Sequence, residues 1–491
     1  CFAFIFSVTF TFLAVFGIGK VFKPLLAVVL ILASITSYYM DAYGTVFDNN
    51  MILNVLETTV NETFELFTAD VFQHVLVFGI LPASLLLLVR QKPETFPQEF
   101  RRRAVAVVVV VSIVALSIYF SYQHFSLVFR ENRWISFYVN PVYPLRAAYL
   151  FTAKKIRKSN SPFLTVFSDA RSIVQQASEN SILIMVVGET ARANNFHLNG
   201  YARETTPELE KFNIISFKNV SSCGTATSVS LPCMFSDLSR DNFDVDDAKN
   251  RQNLLDALSI AGLQVLWREN NPDCKGVCDR IETHQITDIY MDELCKGDMC
   301  YDEVLFNGLD EYVKKLHGDA VIVLHALGSH GPAYYRRYPE RFKKFMPECS
   351  SASVHDCSDE EIVNAYDNTI LYTDFILSEV IQYLKISPET KSAAMLYVSD
   401  HGESLGENGI YLHSMPYSMA SRYQTHIPML AWFSKDFAEN KGLDTGCLNK
   451  KADDVLSHDN IIHSVLGVMD VTSDLYDMHL DIFASCRSKQ F

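Results

Sequence analysis

Two short motifs, each behind an apolar run, carry the side chains of this chain best suited to chemistry. Residues 181–187 (Ser, Ile, Leu, Ile, Met, Val, Val) lead into Gly188-Glu189-Thr190. Residues 393–399 lead likewise into Asp400-His401-Gly402-Glu403. Such runs read as buried strands. The carboxyl ends of strands are where open α/β sheets bind ligands. Glu189, Asp400 and His401 can therefore meet around one metal ion, although they lie far apart in sequence. Two carboxylates and an imidazole suit Zn²⁺ with one position left open, and manganese also tolerates such a set.

A nucleophile candidate, Thr225, lies in Ser222-Cys223-Gly224-Thr225-Ala226-Thr227-Ser228. A glycine followed by small hydroxyl residues and a helix-compatible stretch suits a nucleophile at a helix N-terminus. Exposed N–H groups there stabilise a phosphoryl group, and a metal lowers the pKa of a hydroxyl beside it. An ordinary Ser/Thr helix cap has the same appearance. Two histidines in Gly/Pro-rich settings stand out, His330 in Gly328-Ser329-His330-Gly331-Pro332 and His413 in Leu412-His413-Ser414-Met415-Pro416. Each can bind phosphate oxygens, carry a proton to a leaving group, or hold a second metal. Asn54, Thr58 and Glu62 recur every four residues and would share one helix face. That face can hold an ammonium or a headgroup, or simply be solvated.

These residues need elements to position them. From about residue 176, strand-like runs at 182–187, 264–267, 320–325, 394–398 and 428–433 alternate with helical patterns at 253–261, 302–316, 359–385 and 459–467. Alternation of this kind predicts a mainly parallel sheet with helices on both faces. The first part of the chain is different. Residues 2–19, 24–40, 71–89 and 104–122 are apolar and nearly free of charge. Each has about the length of a membrane-spanning helix, roughly 17–25 residues. The chain starts at Cys1 inside such a run, so a lost beginning with a further span is expected. Lys20, Lys23 and the cluster from Arg90 to Arg103 mark the cytoplasmic side. Residues 41–70 and everything after 122 then lie outside. Residues 123–175 form a connector with mixed aromatics and cations, which either lies along the headgroups or packs on the soluble domain. The expected domains are thus 1–122 in the membrane, 123–175 connecting, and 176–491 outside.

Ten of the 11 cysteines follow residue 220. Their spacing suggests the pairs Cys223–Cys233, Cys274–Cys278, Cys295–Cys300 and Cys349–Cys357, with Cys447 and Cys486 left to each other. An even number at short spacing in an exported domain reads as disulfides, although Cys274 and Cys278 also have a permissible zinc-ligand spacing. The net charge of −15 lacks the basic footprint of a nucleic-acid binder.

Several motifs together resemble one family. They are Gly188-Glu189-Thr190-Ala191-Arg192, Asn199-Gly200-Tyr201, Thr205-Thr206-Pro207, Ser222-Cys223-Gly224-Thr225, Pro232-Cys233-Met234-Phe235-Ser236, Ser329-His330-Gly331-Pro332 and Ser399-Asp400-His401-Gly402-Glu403. The chain is similar, over nearly its whole length, to the lipid A phosphoethanolamine transferases, which include the mobile colistin-resistance enzymes. That resemblance implies an alkaline-phosphatase/sulfatase-like α/β domain on an all-α anchor of five transmembrane helices. It implies a bacterial inner-membrane protein, with its catalytic domain in the periplasm and a monomer as the working form. It implies zinc held by Glu189, Thr225, Asp400 and His401, with Thr225 as nucleophile. It further implies catalytic and substrate-binding roles for Lys275, His330 and His413, the two histidines supporting the metal site or holding a second metal, and headgroup roles for Asn54, Thr58 and Glu62. The expected donor is phosphatidylethanolamine and the expected acceptor a phosphate of lipid A, with polymyxin resistance as the outcome. A related transferase or phosphodiesterase with another periplasmic acceptor, such as a glycan, is the alternative. One departure is Pro272, which stands where the family's serine is expected and puts one substrate hydrogen bond in doubt.

Overall fold

The computed structural model describes residues 22–58, 60–89, 95–120, 133–158, 162–173, 180–297 and 299–488, with isolated positions before residue 15. The described chain forms two compact units. One comprises residues 1–55 and 67–157, the other 56–66 and 158–491.

Among the described residues of the first unit, three helices are long and apolar enough to cross a membrane: Phe22–Tyr43, Ala69–Leu88 and Phe96–Phe120. They match three of the expected spans. The expected span at 2–19 lies almost entirely outside the described residues, as do 121–122 at the end of the expected span 104–122 and 123–132 of the expected connector. The first two helices approach closely at Gly79, where a Cβ would sit 2.3 Å from Ser34 Oγ. Small residues permit such contacts between helices in lipid.

The second unit is built on an eight-stranded sheet. Its strands in chain order are β1 Ser181–Gly188, β2 Ile215–Ser221, β3 Gln264–Glu269, β4 Glu282–His284, β5 Ala320–His325, β6 Ser392–Ser399, β7 His426–Phe433 and β8 Val455–Ser457. The spatial order is β8-β2-β7-β6-β1-β5-β3-β4. All neighbours are parallel except β7, which is antiparallel to both β2 and β6. The central strands β1, β5 and β6 are buried throughout, as expected of parallel strands covered on both faces.

All five expected strands are present. β2 escapes sequence reading because Ile215, Phe217 and Val220 alternate with exposed or half-buried polar residues, and no apolar run marks it. The expected helix over 302–316 is instead a 3₁₀ turn, Asp302–Phe306, and a short helix, Leu309–Val313. Gly308 between them is left-handed, with φ 74°, which ends one element and starts the next. Helices 359–386 and 459–468 fall where expected. The first opens with a capping box between Ser358 and Glu361. Five disulfides link Cys223–Cys233, Cys274–Cys278, Cys295–Cys300, Cys349–Cys357 and Cys447–Cys486.

Candidate active site

The register of the sheet decides which side chains meet. Gly188 pairs with Ser399 across β1 and β6, so the next residues, Glu189 and Asp400, emerge side by side. The Asp400 N–H donates to Gly188 O at 2.9 Å. Thr190 turns the chain away in a left-handed conformation, φ 60°, which is strained for a β-branched residue. It is held there by its N–H donating to Asp400 Oδ1 at 3.1 Å and by its carbonyl accepting from the Tyr366 hydroxyl at 2.8 Å. The loop after β5 crosses over Glu189 at Gly328. A Cβ there would lie 2.7 Å from the Glu189 carbonyl.

Glu189, Asp400 and His401 are fully buried, and one ligand atom from each lies within 4.8 Å of the others. His401 Nδ1 stands 2.9 Å from Gly402 O. A donor is required there, which leaves Nε2 with its lone pair free. That Nε2 faces Glu189 Oε1 and Asp400 Oδ2, each at 3.4 Å. Three electron-pair donors converging in a buried space repel one another unless a cation sits among them. Burial and the charge of Glu189 push Asp400 upward. Burial pushes Glu189 up, while the neighbouring histidines, when protonated, and the hydrogen bond from the Thr190 hydroxyl draw it down. The His401 arrangement, with its far nitrogen donating to a carbonyl, is that of a metal-ligating histidine. The donor set fits Zn²⁺.

Helix Thr227–Met234 begins at this cluster, with Ala226 as its N-cap and the Cys223–Cys233 disulfide bracketing its first turns. Thr227 Oγ1 lies 2.9 Å from Glu189 Oε2, 3.1 Å from Oε1 and 3.4 Å from His401 Nε2. Ser230 Oγ lies 3.2 Å from Asp400 Oδ2. Thr225, the position expected from sequence, is turned elsewhere. Its hydroxyl donates to Met415 O at 2.6 Å and its carbonyl accepts from the Ser414 N–H at 2.6 Å. The hydroxyl that meets the acidic cluster is therefore Thr227, which sequence reasoning did not single out. The signal that could have found it is the helix start, since residues 225, 227, 228 and 230 all carry hydroxyls and composition alone does not choose.

The other expected residues divide into two groups. His413 joins the cluster, its ring centroid 4.5 Å from that of His401 and 5.9 Å from that of His330. Its Nδ1 lies 2.9 Å from Glu403 Oε2, and the other Glu403 oxygen accepts from the Tyr334 hydroxyl at 2.6 Å. Burial lowers the affinity of His413 for a proton, but the Glu403 charge and hydrogen bond dominate and raise it to about 9. The His330 carbonyl accepts from Arg337 Nε at 2.6 Å. Lys275 is buried inside the Cys274–Cys278 loop, left-handed at φ 53°, with Nζ 3.9 Å from Glu57 Oε2. Asn54, Thr58 and Glu62 do not share one helix. The first helix ends at Glu57 and the next is Val60–Leu66, with β-branched Thr58 and Thr59 at the break. Asn54 belongs to the first unit and Thr58 to the second. The Glu62 side chain lies outside the described residues.

The chain has relatives among known proteins. Residues 5–156 match the model described as phosphoethanolamine transferase EptA/EptB, and residues 181–471 match that described as sulfatase. The chain is 39% identical over 469 residues to phosphoethanolamine transferase EptA of Escherichia coli K12, covering 95% of this chain and 86% of the relative. The chain belongs to the phosphoethanolamine transferase family. Another member, phosphatidylethanolamine transferase Mcr-1 of Escherichia coli, is 38% identical over 466 residues, covering 92% of this chain and 84% of Mcr-1. Among solved structures, the integral membrane protein lipooligosaccharide phosphoethanolamine transferase A from Neisseria meningitidis aligns with a TM-score of 0.93. The identity is 38%, and the match covers 97% of this chain and 89% of that one. The sulfatase-like α/β domain with apolar N-terminal helices is thus a feature of the family.

Proposed function

We propose that this phosphoethanolamine transferase moves phosphoethanolamine from phosphatidylethanolamine to a phosphate of lipid A through a phosphothreonine intermediate. The observation that carries the reading is the contact of the Thr227 hydroxyl with the buried Glu189, beside Asp400 and His401. Glu189, Asp400 and His401 would hold Zn²⁺, with the Thr227 oxygen next to it. A zinc ion there lowers the pKa of a neighbouring hydroxyl and offsets charge on phosphoryl oxygens.

The remaining chemistry belongs to the chain. Thr227 Oγ1 is oriented by the Glu189 carboxylate, and its proton is released to solvent as the oxygen attacks. The oxygen attacks phosphorus, and the bond from phosphorus to the diacylglycerol oxygen breaks. His413, kept protonated by Glu403, supplies a proton to that leaving oxygen, with His330 beside it. The first N–H groups of helix Thr227–Met234 and Lys275 favour the anionic phosphoryl group. In the second half, a lipid A phosphate attacks the same phosphorus and Thr227 leaves. Adding an ethanolammonium lowers the negative charge of lipid A and so weakens its attraction for cationic peptides such as polymyxin. On this reading residues 176–491 are the periplasmic catalytic domain, 1–122 the transmembrane domain with its 41–70 loop outside, and 123–175 the connector.

The test is peptide mass spectrometry after mixing the full-length protein with phosphatidylethanolamine and no acceptor. A phosphoethanolamine adduct on Thr227 that disappears after chelation supports donor, nucleophile and metal together. An adduct on Thr225, or none from folded zinc-loaded protein, overturns the assignment.

A further inference from the structure

Two fully buried ionisable groups have no part in the reaction above. Strands β3 and β5 are parallel neighbours whose register sets Glu269 opposite His325. Glu269 is 1% exposed and His325 fully buried, and His325 Nδ1 lies 2.7 Å from Glu269 Oε1. A pair so deep bears a desolvation cost that its own attraction does not reliably offset, so its use is to be sought in what it orients. Glu269 Oε2 accepts from Trp267 Nε1 at 2.8 Å, and Glu269 Oε1 accepts from the backbone N–H of Asn271 at 2.8 Å. Asn271 is itself buried. Its Nδ2 donates to Glu189 Oε2 at 3.0 Å and to Ala326 O at 3.1 Å. Ala326 in turn donates its N–H to Val187 O at 3.0 Å, one strand residue before the turn that presents Glu189.

We propose that Asn271 is a positioning residue that fixes the carboxylate of the metal ligand Glu189, and that Glu269 and His325 hold Asn271 in that role. The inference rests on the reading of Glu189 as a metal ligand. The geometry divides the work between the two Glu189 oxygens. Oε2 receives the amide of Asn271 beside the Thr227 hydroxyl, and Oε1 receives the Thr190 hydroxyl and faces His401 Nε2. An amide is suited to this task because it donates without adding charge beside the metal. Pro272, next in the chain, disfavours the helical region for the Asn271 backbone. Outer partners of this kind typically contribute 10–100-fold to metal affinity.

The experiment is competition for zinc between the purified full-length protein and a chromogenic chelator, with the melting temperature of the metal-free protein as control. Asn271→Ala is expected to weaken zinc binding about 10–100-fold while the metal-free protein keeps a cooperative unfolding transition, its melting temperature lowered by the two lost hydrogen bonds. Glu269→Gln is expected to weaken it in the same direction. The double variant should be no weaker than Asn271→Ala, because Glu269 acts through Asn271. Should Asn271→Ala fail to fold, Asn271→Asp replaces it. That change keeps the shape but sets a carboxylate against Glu189, so the same loss is expected. Unchanged affinity in a folded Asn271 variant overturns the proposal, and so does an additive loss in the double variant. Wild-type protein that binds no zinc, or binds it undiminished after Asp400→Ala, removes the metal reading itself and this inference with it.

Discussion

Thr225 and Thr227 lie two residues apart, and one of them touches the acidic cluster while the other feeds a backbone carbonyl. Thr227→Ala should abolish adduct formation and transfer, with no change in melting temperature beyond about 1 kcal/mol of stability. Thr225→Ala removes only the hydrogen bond to Met415 O and should lower turnover a few-fold by loosening that loop. Steady-state transfer by the two variants distinguishes the roles. Retained transfer in Thr227→Ala with loss in Thr225→Ala would return the nucleophile assignment to Thr225.

Elements hold this site through a small number of buried polar links. His458, ahead of helix Asp459–Val468, ties the Thr227 turn to β6: its Nδ1 accepts from the Cys223 N–H at 3.1 Å, and its Nε2 donates to Ser399 O at 3.0 Å. Acceptance at Nδ1 requires the neutral ring. Burial lowers its pKa to about 4 from an ordinary 6.5. The unfolded chain therefore binds a proton between pH 6.5 and 4 that the folded chain does not. The stabilisation is complete above 6.5 and lost as pH falls toward 4, at up to about 1.4 kcal/mol per pH unit from this one group. Denaturant unfolding across that range should show the slope, and His458→Gln should flatten it. A slope unchanged in His458→Gln would remove His458 as its source.

The disulfides act at the same scale and separate stability from activity. Cys447–Cys486 spans 39 residues and Cys223–Cys233 spans 10. Loop-closure entropy then makes the first worth about 4 kcal/mol and the second about 3 kcal/mol. Replacing Cys447 and Cys486 by serine should lower the unfolding midpoint with kcat retained. Replacing Cys223 and Cys233 should depress kcat as well, since that bridge frames helix Thr227–Met234. Loss of kcat in the first pair, or its retention in the second, would contradict this division.

At the scale of the whole molecule, the second unit includes residues 56–66, drawn from between the apolar helices. Ion pairs hold this segment at both ends. Glu57 meets Lys249 at 2.7 Å, and Glu65 meets Arg337 at 2.6 Å and Arg336 at 3.3 Å. Arg337 is buried and also holds the His330 carbonyl. Removing its anionic partner leaves a buried charge unpaired, which is costly. Glu65→Ala should therefore raise KM for phosphatidylethanolamine several-fold through displacement of the His330 loop, whereas Glu340→Ala, at an exposed pair, should change nothing. Steady-state kinetics with the lipid donor checks both, and equal KM values in the two variants would count against the link.

What the sequence by itself determined is local or compositional. Three apolar spans, the central strands, the carboxylate and histidine motifs at strand ends and the cysteine pairs all follow from residue type and short spacing. Apolar runs must be buried, and hard ligands stand out where such runs stop. Tertiary structure alone decided which hydroxyl meets Glu189, because that depends on where helix Thr227–Met234 starts against the register of β1 and β6. It alone revealed β2, whose one-sided burial leaves no apolar run. It alone joined Glu269, His325 and Asn271 to the site, since those contacts arise from pairing between strands that the chain visits far apart. Period and composition speak for one element at a time, whereas the chemistry here depends on distances between several.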